Sequence, residues 1–389
     1  MVNKNVLIVA VVGLLIVASV GFILLAETEE REPKITLLSQ VNSEGSAIFV
    51  SSDIATGDKA NWSDNFGGKV FATPGTASIQ HMILADYIAS ETDFGFAIQP
   101  AGALDDNVVY WTQVPPIDMK ESMSKGLVDG GIAWEPFNSQ IVADVPGVEI
   151  YKWTDEIWDA HPCCVLAVNS EFEQKNPETV QKFVAAHVVA TKWIMETIQD
   201  DTSDNYSYMV NISSIFAFGD KSEANKAIAK DSLGHVTYDY NINQSWKDKL
   251  EVVIDTYTRL GLFDRNPEQL GYESSTEFVE RLVNTDYIDN ASATDVVDEG
   301  DGLVKVKVGW LSGDIHQLAR LVAMDKNIGE GMGFGDRTIF EAFGIEIEGG
   351  AGNPYANGGA VMDAFLADEI DFGYLGAPPA ILRTVNALS

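Results

Sequence analysis

Lys125-Gly126-Leu127-Val128-Asp129-Gly130-Gly131-Ile132-Ala133-Trp134-Glu135-Pro136 and Ala367-Asp368-Glu369-Ile370-Asp371-Phe372-Gly373-Tyr374-Leu375-Gly376-Ala377-Pro378 decide the fold. In both, an amphipathic helix runs into a short acidic turn, then an apolar strand, then a loop that ends in Pro. Each closes a βαβαβ plan, so the plan occurs twice. Two such units predict an α/β chain whose two lobes face each other across a cleft, and clefts take ligands.

The first unit extends back from Pro136. A strand is expected at Lys69 to Thr73, a helix at Ser78 to Ala89, a strand at Val108 to Thr112, a helix at Ile117 to Ser124 and a strand at Gly131 to Trp134. Ile79, Met82, Ile83 and Tyr87 keep helical spacing. Residues 47–146 thus form one lobe. The second unit extends back from Pro378 through strands at Val304 to Trp310, Ile345 to Glu348 and Ile370 to Leu375. Residues 35–46 and 147–389 form the other lobe, with 304–389 completing a sheet begun earlier in the chain, because only a shared sheet buries all these apolar strands. Asn176-Pro177 reads as a capping Asn before a long helix, and Asp289 to Gly302 as a linker.

With 389 residues, 46% of them hydrophobic, the chain is long enough for two cores. Its net charge of -33 argues against a nucleic-acid partner. Val6 to Ala26 supplies 21 consecutive uncharged residues, against roughly 20 needed to span a bilayer. Lys4 precedes it and Glu27, Glu29 and Glu30 follow, which places the large domain outside. Residues 1–34 therefore read as a transmembrane anchor and stalk; a cleaved signal peptide is the rival, opposed by Leu24 where a small residue is preferred before a cut after Ala26. Five Asn-x-Ser sequons, the first at Asn61, agree with an exterior location.

In parallel α/β sheets the ligand sits beyond the carboxyl ends of strands, beside helix N-termini. Thr73-Pro74-Gly75-Thr76-Ala77-Ser78 is such a loop, and Leu311-Ser312-Gly313-Asp314 is its counterpart in the other lobe. Hydroxyls, glycine and unpaired amides suit an oxyanion; capped helix starts are also ordinary structure. Asn42 to Ser46 is a polar turn where the chain passes between lobes, a hinge or a ligand loop. Trp134 is placed to wall the ligand or simply to fill the core. Glu135 follows it on the same strand end. His161 precedes a strand that borders the cleft, and His316 lies one turn past Gly313. His187 reads as a core residue and His235 as solvated. Cys163-Cys164 lacks metal-ligand spacing and has no basic neighbour in sequence, so the pair reads as small buried residues, and no metal or cofactor is expected.

Gly68 to His81, Asp129 to Phe137, His161-Pro162, Val308 to Gln317, Pro354 to Gly359 and Asp371 to Pro379 together resemble the nitrate/sulfonate/taurine group of ABC-transporter solute-binding proteins. The resemblance implies a two-lobed type II periplasmic-binding-protein fold, a small anionic ligand in the cleft, no catalysis, and delivery to a membrane permease with its ATPase. Carried onto this chain, it points to Ser43, Gly45, Ser46, Thr76, Ala77, Ser78, Trp134, Gly313, His316 and Gly376 as ligand contacts, with Glu135 and His161 beside them. Relatives that make a pyrimidine precursor of thiamine offer the alternative, binding or synthesis of that precursor on the same fold, with the Cys pair and His161 mattering if the chain is an enzyme. In the family the block equivalent to Val304 to Asn386 comes first, so the order here implies a circular permutation.

Overall fold

The computed structural model describes residues 32–298, 300, 302–350 and 352–389. Among them no helix is long and apolar enough to cross a membrane; the span expected at residues 6–26 lies outside the described residues. The chain enters through β1 (Ile35–Gln40), β2 (Asn42–Glu44) and β3 (Ser46–Val50). It continues through β4 (Val70–Thr73), α1 (Ile79–Glu91), β5 (Gly95–Ile98), β6 (Val108–Gln113), α2 (Pro116–Ser124), β7 (Gly130–Trp134), α3 (Phe137–Asp144) and β8 (Glu149–Trp153). These strands form a six-stranded sheet in the order β5-β6-β4-β7-β3-β8. Strands β5, β6, β4 and β7 are parallel, while β3 runs antiparallel to both β7 and β8.

The return crossing therefore comes later than the expected Gly147, because β8 pairs with β3 from Ala47↔Trp153 to Val50↔Glu149. Past it run β9 (Cys164–Asn169), α4 (Pro177–Thr197), α5 (Asp204–Phe218), α6 (Glu223–Leu233), β10 (Val236–Tyr238), α7 (Gln244–Arg259) and α8 (Ser275–Leu282). The last stretch holds β11 (Val304–Val306), β12 (Val308–Leu311), β13 (Ile345–Ile347), β14 (Asn353–Tyr355), α9 (Gly358–Leu366), β15 (Phe372–Gly376) and α10 (Ala377–Ala387). A five-stranded sheet joins the two ends of the chain in the order β1-β9-β15-β12-β14. Strand β9 is antiparallel to β1 and β15, and β12 is parallel to β15 and β14.

The repeated punctuation has one structural use in both lobes. Asp129 Oδ2 accepts from Val70 N at 2.9 Å, and Asp371 Oδ2 accepts from Lys307 N at 2.8 Å. Each acidic turn thus supplies an acceptor at the start of the neighbouring parallel strand. The small residues that follow let aromatic rings lie on the strand: a Cβ on Gly131 would stand 2.5 Å from the Phe49 ring, and one on Gly373 would stand 2.6 Å from the Phe365 ring. Phe49, Phe66 and Phe71 are fully buried in one core, and Phe183 stacks on Phe372 at 3.9 Å in the other. Burying each such ring is worth about 2–3 kcal/mol.

Two crossings join the lobes, and they hydrogen-bond to each other. Glu44 N donates to His161 O and Cys163 N to Asn42 O, each at 3.3 Å, while Ala160 N donates to Glu44 Oε1 at 2.7 Å. β10 adds to β2 on the other side. On the far rim Arg259 pairs with Asp86 at 2.7 Å and the Tyr257 hydroxyl donates to Ala77 O at 3.1 Å. Ser139 Oγ reaches Asp231 at 3.1 Å. Bonds from lobe to lobe on both sides of the cleft make this a closed arrangement.

Several local expectations differ. Asn176 makes no cap bond; its Nδ2 donates to Phe172 O at 3.1 Å and closes the preceding turn, while Pro177 does open α4. His235 is half-buried and stacked on Trp153 at 3.7 Å instead of solvated. The stretch expected as a linker is tied down by Val297, whose N donates to Ala342 O and whose O accepts from Arg337. β5, α3 and α5 were not anticipated, since short or evenly apolar segments carry little periodicity.

Candidate functional site

The carboxyl ends of β4 and β7 in one lobe and of β12 and β15 in the other meet at a cavity of about 130 Å³. One wall is Pro74 to Gln80, Gln113 and Trp134; the other is Cys163, Cys164, Leu311, Asp314, His316, Asn357 to Gly359, Gly376, Pro379 and Arg383. Three helices begin there. Ser78 Oγ accepts from His81 N at 3.1 Å to start α1, and Asn357 Oδ1 accepts from Ala360 N at 3.0 Å to start α9. Gly376 precedes α10 without a side-chain cap. The first amides of a helix have no partner inside it and carry about half a positive charge between them. Three such ends on one cavity favour an anion. Trp134 packs against Phe137 and is buried, and its indole N–H has no protein partner, so an acceptor from a ligand would relieve it.

Six of the twelve candidate residues line this cavity: Thr76, Ala77, Ser78, Trp134, His316 and Gly376. The other six stand behind the wall. Ser43 Oγ accepts from Gln40 at 2.9 Å, and Ser46 Oγ accepts from Gln80 at 2.9 Å. His161 Nε2 meets Thr154 Oγ1 at 2.8 Å within the hinge, and burial lowers its pKa. Glu135 is fully buried, accepts from Ser139 and Ser232 at 2.8 and 3.1 Å, and is pushed up to about 7 by that burial. Gly313 turns the chain with φ at 71°, and a Cβ there would sit 3.2 Å from the Phe137 ring. Gly45, with φ at 78°, lets its carbonyl accept from His316 Nε2 at 3.1 Å, and a Cβ there would lie 2.4 Å from that nitrogen.

The wall also holds residues that sequence reasoning passed over. Asn357-Gly358-Gly359 follows a strand and opens a helix, so the rule that selected Thr73 to Ser78 would have selected it. Gln113 and Arg383 carried no such signal. Most consequential are the cysteines. Both are buried and unbridged, as small residues would be, yet both face the cavity. Cys163 Sγ lies 3.3 Å from His316 Nδ1, and Cys164 Sγ lies 3.9 Å from Asp314 Oδ2. The Cys163 thiol is held well below its ordinary range, first by hydrogen bonding from Cys164 and then by His316, whereas Cys164 is pushed up. Burial pulls His316 down, but Cys163 and Asp314 outweigh it and bring it to about 9. Burial raises Asp314 to about 7 against the pull of His316. The missing basic partner of Cys163 comes from 153 residues away.

The NMT1-like family model matches residues 7–210. Among curated proteins, the nitrate/nitrite binding protein NrtA of Nostoc sp. is 30% identical over 115 residues, which is 29% of this chain and 24% of that protein. The nitrate import ATP-binding protein NrtC of Synechocystis sp. is 29% identical over 124 residues, 32% of this chain and 16% of that one. The chain thus spans about a quarter or less of the length of these curated relatives. The crystal structure of the periplasmic nitrate-binding protein NrtA from Synechocystis PCC 6803 superposes with a TM-score of 0.49 at 16% identity, covering 67% of each chain.

Proposed function

The chain belongs to the NMT1-like family, and on that premise we propose that it is the solute-binding component of an ABC importer for a small oxyanion of the nitrate and sulfonate type. One observation carries the reading: three helix N-termini, the Thr76 and Ser78 hydroxyls and an unpartnered indole N–H surround one cavity between the lobes. Its size narrows the ligand. Pockets for drug-sized molecules run to roughly 300–1,000 Å³, and about 130 Å³ admits an oxyanion of a few heavy atoms. Closure of the lobes excludes water and strengthens each hydrogen bond to the ligand. The solute then passes at the outer face of the membrane to a permease driven from the inner side by its ATPase, and the anchor we propose for residues 6–26 keeps the protein there. His161 is not among the residues that line the cavity, which supports the receptor reading over the pyrimidine-precursor alternative.

A thermal-shift and calorimetric panel of nitrate, nitrite, taurine, small alkanesulfonates and the thiamine pyrimidine tests this. One oxyanion binds saturably and stabilises the fold by about 2.7 kcal/mol at one hundred times its dissociation constant. A panel in which only the pyrimidine binds, or nothing does, ends the proposal. The order of segments is that of a circular permutation, a reading supported by β12 and β15 joining β1 and β9 in one sheet. A chain recut to open before Val304, with Ser389 linked to Lys34, keeps the binding of the parent if so and fails to fold if not.

A further inference from the structure

Cys163 and Cys164 are neighbours in sequence, and a regular strand would send their side chains to opposite faces. β9 begins only at Cys164. Cys163 is held outside the strand by its carbonyl, which accepts from Ala377 N at 2.7 Å, and by its N–H, which donates to Asn42 O. Both cysteines consequently line the cavity, and their sulfurs form with the His316 imidazole a set whose ligand atoms all lie within 4.8 Å of one another. Zinc bonds of roughly 2.3 Å to sulfur and 2.0 Å to nitrogen imply tetrahedral edges of about 3.5–3.8 Å. The 3.3 Å between Cys163 Sγ and His316 Nδ1 is close to such an edge.

The imidazole is also oriented as a metal ligand requires. His316 Nε2 donates to the Gly45 carbonyl at 3.1 Å, so Nδ1, next to the sulfur, is the nitrogen offered to a metal once its proton is displaced. A ligating histidine is usually fixed this way by a carbonyl behind its other nitrogen. Glycine is needed at position 45, since any Cβ would strike the ring. Asp314 braces the set from the side: Oδ1 accepts from His316 N at 2.9 Å and Oδ2 from Gln317 Nε2 at 3.2 Å.

The geometry points to a metal site on this wall, with Cys163 Sγ, Cys164 Sγ and His316 Nδ1 holding a divalent cation of the zinc type and the fourth position open to the cavity. Two sulfurs and one imidazole favour Zn²⁺ over hard cations such as Mg²⁺ or Ca²⁺. Binding displaces to solvent the protons held by the cysteines and by the His316 imidazole, and the open position takes a water or an oxygen of a bound anion. The site goes beyond the oxyanion reading and stands without it.

Cobalt(II), a spectroscopic stand-in for zinc, tests it on the reduced full chain in buffer free of nitrate and sulfonate. We expect an intense thiolate-to-cobalt charge-transfer absorption that saturates at a single equivalent and is bleached by Zn²⁺. Cys163→Ser with Cys164→Ser abolishes the band. His316→Gln, which keeps both sulfurs, weakens cobalt binding by about tenfold or more. A wild-type chain with titratable thiols and no charge-transfer band overturns the site. So does a band unchanged in the double serine variant, or affinity unchanged in His316→Gln. Because no anion is present, failure here leaves the oxyanion panel untouched, and the reverse holds as well.

Discussion

The two walls of the cavity are built from similar parts and do different chemistry. The wall from the six-stranded sheet, Pro74 to Gln80 with Gln113 and Trp134, contains no ionisable side chain. The wall from the five-stranded sheet contains Cys163, Cys164, Asp314, His316 and Arg383. Both open on helix N-termini at the carboxyl ends of parallel strands. One therefore offers fixed dipoles and hydroxyls whose grip on an anion does not depend on protonation. The other adds groups that respond to protons and metals. The same αβ architecture can hold both because the sheet edge sets where side chains converge, while the loop residues set what they are.

The largest effect should come from breaking the neutral wall. Thr76→Ala with Ser78→Ala removes one hydroxyl donor to a charged ligand, worth about 1.5–3 kcal/mol, and a second hydroxyl that already donates to Gly75 O at 2.8 Å, so affinity for the oxyanion found in the panel falls on the order of 10- to 100-fold. Loss of the Ser78 cap on α1 costs about 1 kcal/mol of stability besides. Calorimetric titration beside a urea melt separates the two. Unchanged affinity would move the anion to the other wall and dissolve the contrast.

A smaller effect compares the lobes through one buried histidine in each. Burial lowers both His81 and His187 from an ordinary 6.5 to about 4. His81 Nδ1 meets Thr73 Oγ1 at 3.1 Å, and His187 lies between the Gln40 carbonyl and the Tyr374 hydroxyl at 3.4 and 3.3 Å. Each imidazole is neutral in the native state. Between pH 6.5 and 4 the unfolded chain binds the proton more readily, so the contribution to stability is complete above 6.5 and is lost as pH falls. The stability advantage of the wild type over His187→Gln should thus shrink by about 2 kcal/mol across that window, against a ceiling of roughly 3 kcal/mol for 2.5 units. Urea melts at pH 7, 5.5 and 4 measure it. An advantage that stays constant with pH would place the charged imidazole in the native state. The matching series with His81→Gln reads the other lobe.

Much of this was open to reading in the chain. The two punctuated strand ends announced paired α/β units, since Asp129-Gly130-Gly131 and Asp371-Phe372-Gly373 each need an acidic acceptor and small residues beside an aromatic core. Thr73 to Ser78 could be picked out because a strand, a glycine, hydroxyls and a helix start follow one another locally. Ser43, Ser46 and His161 were harder to place. A polar turn between lobes has the same composition whether it grips a ligand or hinges the domains, and here Ser43 and Ser46 hydrogen-bond to Gln40 and Gln80.

What the sequence determined by itself is the run of elements, because periodicity, caps and turn residues act over a few neighbours. Tertiary structure alone decided which loops share a cavity. Cys163 looked inert while its surroundings were read along the chain, and it gained a basic partner only when β9 and β12 entered one sheet and Gly45 made room for the His316 ring. Contacts across 153 residues depend on strand order and register, and no local pattern encodes either.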